Sequence, residues 1–118
     1  MWKKQLNKRI KMKKLIEVTD TNLKKELIDN DIPVLLDCWA EWCVPCRAIE
    51  PSIKKIAELY DGRLKVTKLN VDNNMKAAAF FRVTALPTII LWKDGRVAAS
   101  ITGAVHQKKL IAMVEKHL

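Results

Sequence analysis

The fold of this chain is decided by the stretch VLLDCWAEWCVPCR at residues 34–47. Its first six residues form an almost continuous apolar run, which predicts a buried strand. The residues from about Cys43 onward place Ile49, Ile53 and Ile56 on one face, as an amphipathic helix does. The first sulfur of the Cys-x-x-Cys pair therefore lies at a helix N-terminus, where free N–H groups and the helix dipole favour a thiolate. Because the thiolate is the nucleophile of disulfide exchange, the stretch indicates redox chemistry.

Two other uses of a cysteine pair fit this sequence less well. Tetrahedral zinc needs four ligands, and the remaining candidates, Cys38, His106 and His117, include no second closely spaced pair. A structural disulfide is disfavoured as well, because so short a loop constrains the unfolded chain very little. We therefore expect no metal ion and a disulfide that opens and closes.

Apolar periodicity around this stretch predicts an α/β domain with the order βαβαβαββα. Asp94-Gly95 is a typical two-residue hairpin turn, and Thr19 or Asp20 is a candidate cap for the first helix. Pro51 falls inside the second helix, where we expect a kink. The predicted strands are residues 15–18, 34–39, 64–71, 88–92 and 97–102. The first predicted helix carries Leu23, Leu27 and Ile28 on its apolar face and is broken at residues 29–31, and the other predicted helices are residues 43–60, 73–81 and 107–118.

Composition describes one globular domain with a basic end. The chain has 118 residues, of which 49% are hydrophobic and 30% charged, enough for a single core. The formal net charge is +9, but seven basic and no acidic side chains lie in residues 1–14. We predict a flexible basic extension at 1–14 and a nearly neutral domain at 15–118.

Residues 1–14 also carry Trp2, Leu6 and Ile10 at four-residue spacing among lysines. This pattern is that of a basic amphipathic helix, which could touch an anionic membrane or nucleic acid. The apolar stripe is only one residue wide, and isolated helices of this length are marginal in water. We therefore favour an inert tail and expect no specific nucleic-acid partner.

Sorting signals and cysteine usage suggest where the protein works. No apolar run approaches the roughly 18 residues of a membrane span, and the basic start lacks the apolar segment of a secretory signal. The cysteine count of three is odd and low, which favours a reducing compartment. We expect a cytoplasmic, monomeric protein without a membrane span.

Five segments together resemble the thioredoxin family over nearly the whole of residues 15–118. The resemblance implies a thioredoxin fold, a central five-stranded mixed sheet flanked by four helices, which the element order fits independently. The segments are VLLDCWAEWCVPCR at 34–47, KLNVD at 68–72, LPTI at 86–89, KDGR at 93–96 and GA at 103–104.

The resemblance implies roles for five catalytic positions. Cys43 is similar to the family's exposed attacking cysteine and Cys46 to its buried resolving cysteine, while Pro87 is similar to its cis-proline. Asp37 matches a buried acid behind the second cysteine, and strand alternation supports this over a loop-capping carboxylate. Lys68 matches the lysine partner of that acid, although a solvated strand lysine remains the alternative.

The resemblance also implies an apolar rim on which substrate docks, with the backbone of Leu86 pairing with an extended substrate segment. Trp42 could instead be an ordinary core residue, but Trp39 is the better candidate for the core. The rim would consist of Trp42, Val44, Pro45, Ala85, Leu86, Gly103 and Ala104.

Several residues depart from the family pattern. Val44-Pro45 replaces the usual Gly-Pro and is similar to the dipeptide of membrane-anchored reductases of cytochrome c maturation. Cys38 stands where Phe is usual, and Arg82 and Ala85 replace common glycines. Strand alternation turns Cys38 away from the Asp37 face, so we expect an inert core thiol.

The function implied is a protein disulfide reductase that binds no cofactor. This sequence has no dinucleotide fingerprint, so NADPH would serve only indirectly, through a separate thioredoxin reductase, and the clients would be disulfide-containing proteins. Two alternatives stay open here: a dedicated reductase for one client, for example in cytochrome c maturation, and a docking subunit without turnover.

Overall fold

The computed structural model describes residues 15–118, which form one mixed five-stranded sheet; the predicted extension at 1–14 lies outside the described residues. The strand order is β1-β3-β2-β4-β5. Strands β1 and β2 run parallel to β3, whereas β4 runs antiparallel to both β2 and β5. The strands are β1 Ile16–Glu17, β2 Val34–Trp39, β3 Lys65–Asn70, β4 Thr88–Lys93 and β5 Arg96–Thr102.

Four helices accompany the sheet within the described residues, so the predicted thioredoxin-type α/β architecture and its element order are confirmed. The first helix is a short π-type helix and the second is the longest, with Pro51 inside it. The helices are α1 Lys24–Ile28, α2 Val44–Leu59, α3 Met75–Phe80 and α4 Gln107–His117.

The sheet separates two apolar layers, and successive side chains of β2 pack alternately into one layer and the other. Leu35 packs with the inner faces of α2 and α4, whereas Leu36 and Cys38 pack with Leu27 of α1 and Ala77 of α3. A charged residue between Leu36 and Cys38 must therefore point towards the α2 side. This alternation places Asp37 beneath the helix that carries the two cysteines.

The start of α1 differs from the sequence prediction. Thr19 and Asn22 exchange bonds between side chain and backbone, with Thr19 N donating to Asn22 Oδ1 at 2.7 Å. Such local bonds compete with helix formation, so the helix begins only at Lys24. Asp20 does not cap α1; its carboxylate instead accepts from the backbone N–H of Ala77 in α3, at 2.7 Å.

The hairpin between β4 and β5 follows the prediction from Asp94-Gly95. Asp94 has φ 54° and Gly95 has φ 77°, and positive φ at both central residues is the requirement of the turn that matches strand twist. The hairpin directs β5 back along β4, so that Gly103 ends beside the loop that precedes β4.

Candidate active site

The cysteine pair lies where β2 gives way to α2. Cys43 and Cys46 form a disulfide with their Cα atoms 5.3 Å apart. Cys43 is the N-cap of α2, and its Sγ accepts a hydrogen bond from the Cys46 backbone N–H at 3.2 Å. Because this N–H points at the sulfur at the positive end of the helix dipole, a reduced Cys43 would be stabilised as the thiolate.

Both cysteines are buried in this oxidised form. Each is 3% exposed, so the expectation that Cys43 is the exposed member of the pair is wrong for this state. The sulfur–sulfur bond turns the Cys43 side chain towards Cys46, and the pair packs with Ala40 against Trp39 and Leu86. Exposure therefore does not distinguish the two cysteines here, and only their positions on the helix do.

Asp37 is a buried carboxylic acid on the α2 side of β2. It is 5% exposed, and its Oδ1 has no hydrogen-bond partner in residues 15–118. Burial raises the pKa of Asp37 to about 7, against a lowering by the Lys68 charge and a further rise from Glu50. An acid with this pKa can both accept and release a proton near neutral pH. The burial agrees with the alternation argument and not with a loop-capping carboxylate.

Lys68 is the neighbour of Asp37 on β3, in direct register with it. The lysine is partly buried, and its Nζ lies 4.5 Å from the centroid of the Trp39 ring. No ion pair between Lys68 and Asp37 is present in the described part of the chain. Lys68 is thus a partly buried cation close to the acid, not a freely solvated strand lysine.

The loop before β4 contains a cis peptide bond between Leu86 and Pro87. The Pro87 carbonyl accepts from the Gly103 backbone N–H at 2.8 Å, and Thr88 Oγ1 donates to the Ala85 carbonyl at 2.6 Å. Arg82, which stands where the family often has glycine, adopts a positive φ of 55°. These contacts bring the Leu86 loop and the end of β5 together beside the disulfide.

Most of the predicted rim is exposed. Trp42 is 67% exposed and Val44 is 71% exposed, so Trp42 is not a core residue. Of the remaining rim residues, Pro45, Ala85 and Ala104 are exposed, while Leu86 and Gly103 are partly buried.

Sequence reasoning missed two residues that hold this site. The indole N–H of Trp42 donates to Asp72 Oδ2 at 2.9 Å, which fixes the exposed ring against the loop after β3. Arg47 Nη2 donates to the backbone carbonyl of Glu41, which ties the loop before Cys43 to the first turn of α2. Asp72 lies thirty residues from Trp42 along the chain, and Arg47 binds a backbone carbonyl that any residue carries, so neither contact has a sequence signal.

Within residues 15–118 there is no cluster of three or more histidine, cysteine or acidic side chains that could hold a metal ion. Within the same part of the chain, no helix is both long and apolar enough to cross a membrane.

Comparison with known proteins agrees with this geometry. The family model described as Thioredoxin matches residues 14–116. The chain belongs to the thioredoxin family. Among its relatives, Thioredoxin 1 of Nostoc sp. is 41% identical over 102 residues, which cover 86% of this chain and 95% of the relative. The thioredoxin of Pseudomonas aeruginosa is 39% identical over 104 residues, covering 88% of this chain and 96% of the relative.

Membership in the thioredoxin family and a Cys-x-x-Cys disulfide at the start of α2 establish the class of reaction. This member of the thioredoxin family is a thiol–disulfide oxidoreductase. Its redox-active group is the Cys43–Cys46 disulfide, which belongs to the chain itself.

Proposed function

We propose that this chain is a general protein disulfide reductase in which Cys43 is the attacking residue. The position of Cys43 Sγ at the N-cap of α2 carries the proposal, because no other cysteine in residues 15–118 is the N-cap of a helix. The Cys43 thiolate attacks one sulfur of a client disulfide. The client S–S bond breaks, a mixed disulfide forms, and the departing client thiolate takes up a proton.

Cys46 completes the reaction as the resolving residue. Its thiolate attacks Cys43 Sγ, the mixed disulfide breaks, and the second client sulfur leaves as a thiolate that takes up a proton from solvent. Two electrons have then passed from the protein to the client, and the Cys43–Cys46 disulfide remains, as in this structure. The two sulfurs are bonded in this structure with their Cα atoms 5.3 Å apart, which supports attack between these neighbours.

We assign to Asp37 the removal of the Cys46 proton. Its raised pKa of about 7 supports the assignment, because a general base works best when its pKa lies near the working pH. We assign to Lys68 an influence on this acid through its charge, and to Pro87 the shaping of the loop that faces the disulfide.

The apolar rim is the proposed client-binding surface. Two of its side chains, Trp42 and Val44, are more than two-thirds exposed and flank Cys43 on either side. Exposed apolar groups beside a reactive centre are typical of surfaces that bind other proteins. The backbone of Leu86 would pair with an extended client segment, and Pro45, Ala85, Gly103 and Ala104 would complete the contact.

We further propose that a separate thioredoxin reductase, drawing on NADPH, returns the disulfide to the dithiol, and that the chain acts as a cytoplasmic monomer. The general likeness to thioredoxins supports a reductase and disulfide-containing clients as partners. No observation on this chain favours a dedicated single-client reductase or a docking subunit over the general reductase.

Reduction of insulin by dithiothreitol tests the proposal. Cys43→Ser should abolish catalysis of this reaction, whereas Cys46→Ser should still attack and should accumulate mixed disulfides with insulin, visible on non-reducing gels. Substantial activity in the Cys43→Ser protein would show that the nucleophile is wrongly assigned. Turnover with a bacterial thioredoxin reductase and NADPH then separates a general reductase, which should be recharged, from a dedicated one.

A further inference from the structure

The side chain of Lys68 has two places that it can reach. Lys68 is in register with Asp37 on the neighbouring parallel strand, and Trp39 follows Asp37 on the same face of β2. Neighbouring strands lie about 4.8 Å apart, so a lysine side chain spans the distance to either residue. The ammonium can therefore form an ion pair with the Asp37 carboxylate or lie against the Trp39 ring.

The structure shows the second arrangement. Lys68 Nζ is 4.5 Å from the Trp39 ring centroid, within the range of a cation–π contact. In the described residues no ion pair joins Lys68 to Asp37, and Asp37 Oδ1 has no hydrogen-bond partner. Asp37 Oδ1 is thus buried without a hydrogen-bond partner in the described residues, although the Lys68 cation lies on the neighbouring strand.

Packing fixes the Trp39 ring in this position. The ring packs against the small cluster of Ala40, Cys43 and Cys46. The indole Nε1 is buried and has no hydrogen-bond partner in residues 15–118, so no hydrogen bond of its own explains the orientation. What the ring offers to Lys68 is its π face.

We propose that Trp39 is a positioning residue whose indole face keeps the Lys68 ammonium out of ion-pair contact with the Asp37 carboxylate. An opposite charge in direct contact stabilises a carboxylate. By holding the ammonium back, Trp39 keeps Asp37 in an environment set mainly by burial. The redox centre thereby retains an acid that exchanges its proton near neutral pH.

The charged and titratable groups next to Asp37 come from three elements, and one of them, Cys38, lies on the opposite face of β2. Lys68 approaches from β3 and favours the carboxylate, whereas Glu50 approaches from α2 and opposes it. Cys38 is the adjacent thiol on β2, and burial together with the Asp37 charge raises its pKa. The β4 residue opposite Asp37 is Ile89, which carries no charge. Lys68 is therefore the cation whose position decides how far the carboxylate is stabilised.

The consequence for catalysis rests on the proposed role of Asp37, but the positioning itself does not. The test accordingly measures the Asp37 carboxyl carbon by NMR titration in the oxidised protein, in which no turnover occurs. The variants are Trp39→Leu, which removes the π face, and Trp39→Phe, which keeps a smaller one. Each is made both in the natural chain and together with Lys68→Met.

With Lys68 present, Trp39→Leu should lower the titration midpoint of Asp37 by about half to one pH unit, the shift that a contact of this strength can produce. Trp39→Phe should lower it less. With Lys68→Met, neither Trp39 substitution should move the midpoint. Equal shifts in the two backgrounds would mean that Trp39 acts through burial alone, and no shift in either would mean that it does not restrain Lys68; both results overturn the proposal. If the Leu variant does not fold, the same comparison with the Phe variant decides.

The pH dependence of insulin reduction separates this inference from the proposed function. If the NMR midpoint moves and the pH profile of the rate moves with it, both stand. If the midpoint moves and the rate profile does not, the positioning by Trp39 stands and the role of Asp37 as base fails.

Discussion

Replacing Asp37 with Asn should stabilise the domain at neutral pH and slow its reaction. The pKa of Asp37 is raised from 3.8 to about 7 in the folded protein. Between these values the unfolded chain carries a carboxylate while the folded protein retains the proton, so the stability of the natural protein falls as the pH rises. The two pKa values differ by about three pH units, each worth about 1.4 kcal/mol, so the buried carboxyl costs the folded protein ~4 kcal/mol of stability once it must ionise. Nearly all of this loss is present by pH 7.

The amide that Asp37→Asn introduces brings its own cost. Its N–H donors enter a site where Asp37 Oδ1 already lacks a partner among the described residues, and an unsatisfied buried donor costs about 1–3 kcal/mol at every pH. Asp37→Asn should therefore be less stable than the natural protein at about pH 4 and more stable at about pH 8. Urea unfolding of the oxidised proteins across this range measures the difference, and a difference that does not change with pH would refute the argument.

Glu26→Gln should show the opposite dependence of stability on pH. The side-chain bond to Lys65, 2.9 Å long, is the largest cause that lowers the pKa of Glu26. A lowered carboxyl pKa adds stability above its unfolded value, and this stability is lost as the pH falls. Glu26→Gln should therefore be destabilising at neutral pH and become harmless in acid, which is the reverse of Asp37→Asn.

At pH 7 the Asp37→Asn protein should also reduce insulin at least about tenfold more slowly, and unchanged kinetics from about pH 6 to 9 would exclude a role for Asp37 as base.

Three further outcomes are expected. Cys38 is fully buried, and burial raises the pKa of its thiol. A bulky alkylating agent should therefore modify Cys43 first in the reduced native protein and Cys38 only after unfolding. Rapid labelling of Cys38 in the native protein, measured by mass spectrometry, would contradict this. Val44→Gly removes a 71% exposed apolar side chain at the start of α2, and should lower the free energy of unfolding by about 0.5–1 kcal/mol. It should also raise KM for insulin more than KM for a small disulfide. Equal changes in the two KM values would show that Val44 is not part of the rim. A chain that begins at Met12 should keep full activity and nearly full stability, with any binding to anionic vesicles weak, salt-sensitive and lost with the tail; a melting temperature several degrees lower would mean that the tail docks on the domain.

The elements around the redox pair could be predicted from the sequence because their signals are local. The apolar run of β2 and the isoleucine stripe of α2 are complete within a few turns of chain, and both appear within a residue or so of the predicted bounds. The alternation of Leu35, Asp37 and Cys38 likewise placed the acid and the free thiol on opposite faces.

What the sequence could not reveal depends on partners that are distant along the chain. Asp20 has the residue type of a helix cap, but the helix that it caps lies more than fifty residues further on. The burial of Cys43 depends on its bond to Cys46 and on packing by Leu86 from another loop. The contact of Lys68 with Trp39 depends on the register of β2 and β3, which neither strand specifies alone.

The reciprocal contact between the β1–α1 loop and α3 has a consequence for local unfolding. Asp20 accepts from Ala77 N at 2.7 Å, and its own backbone N–H donates to Asn74 Oδ1 at 3.1 Å. A helix as short as Met75–Phe80 is not stable alone in water, so we expect these two hydrogen bonds to act as a clamp that holds α3, and the loop that leads from it to Leu86, as one cooperative unit. Breaking the clamp should speed amide hydrogen exchange along that unit while the central strands stay protected. Asp20, in the loop between β1 and α1, would thereby affect how firmly the Leu86 side of the proposed client-binding rim is held.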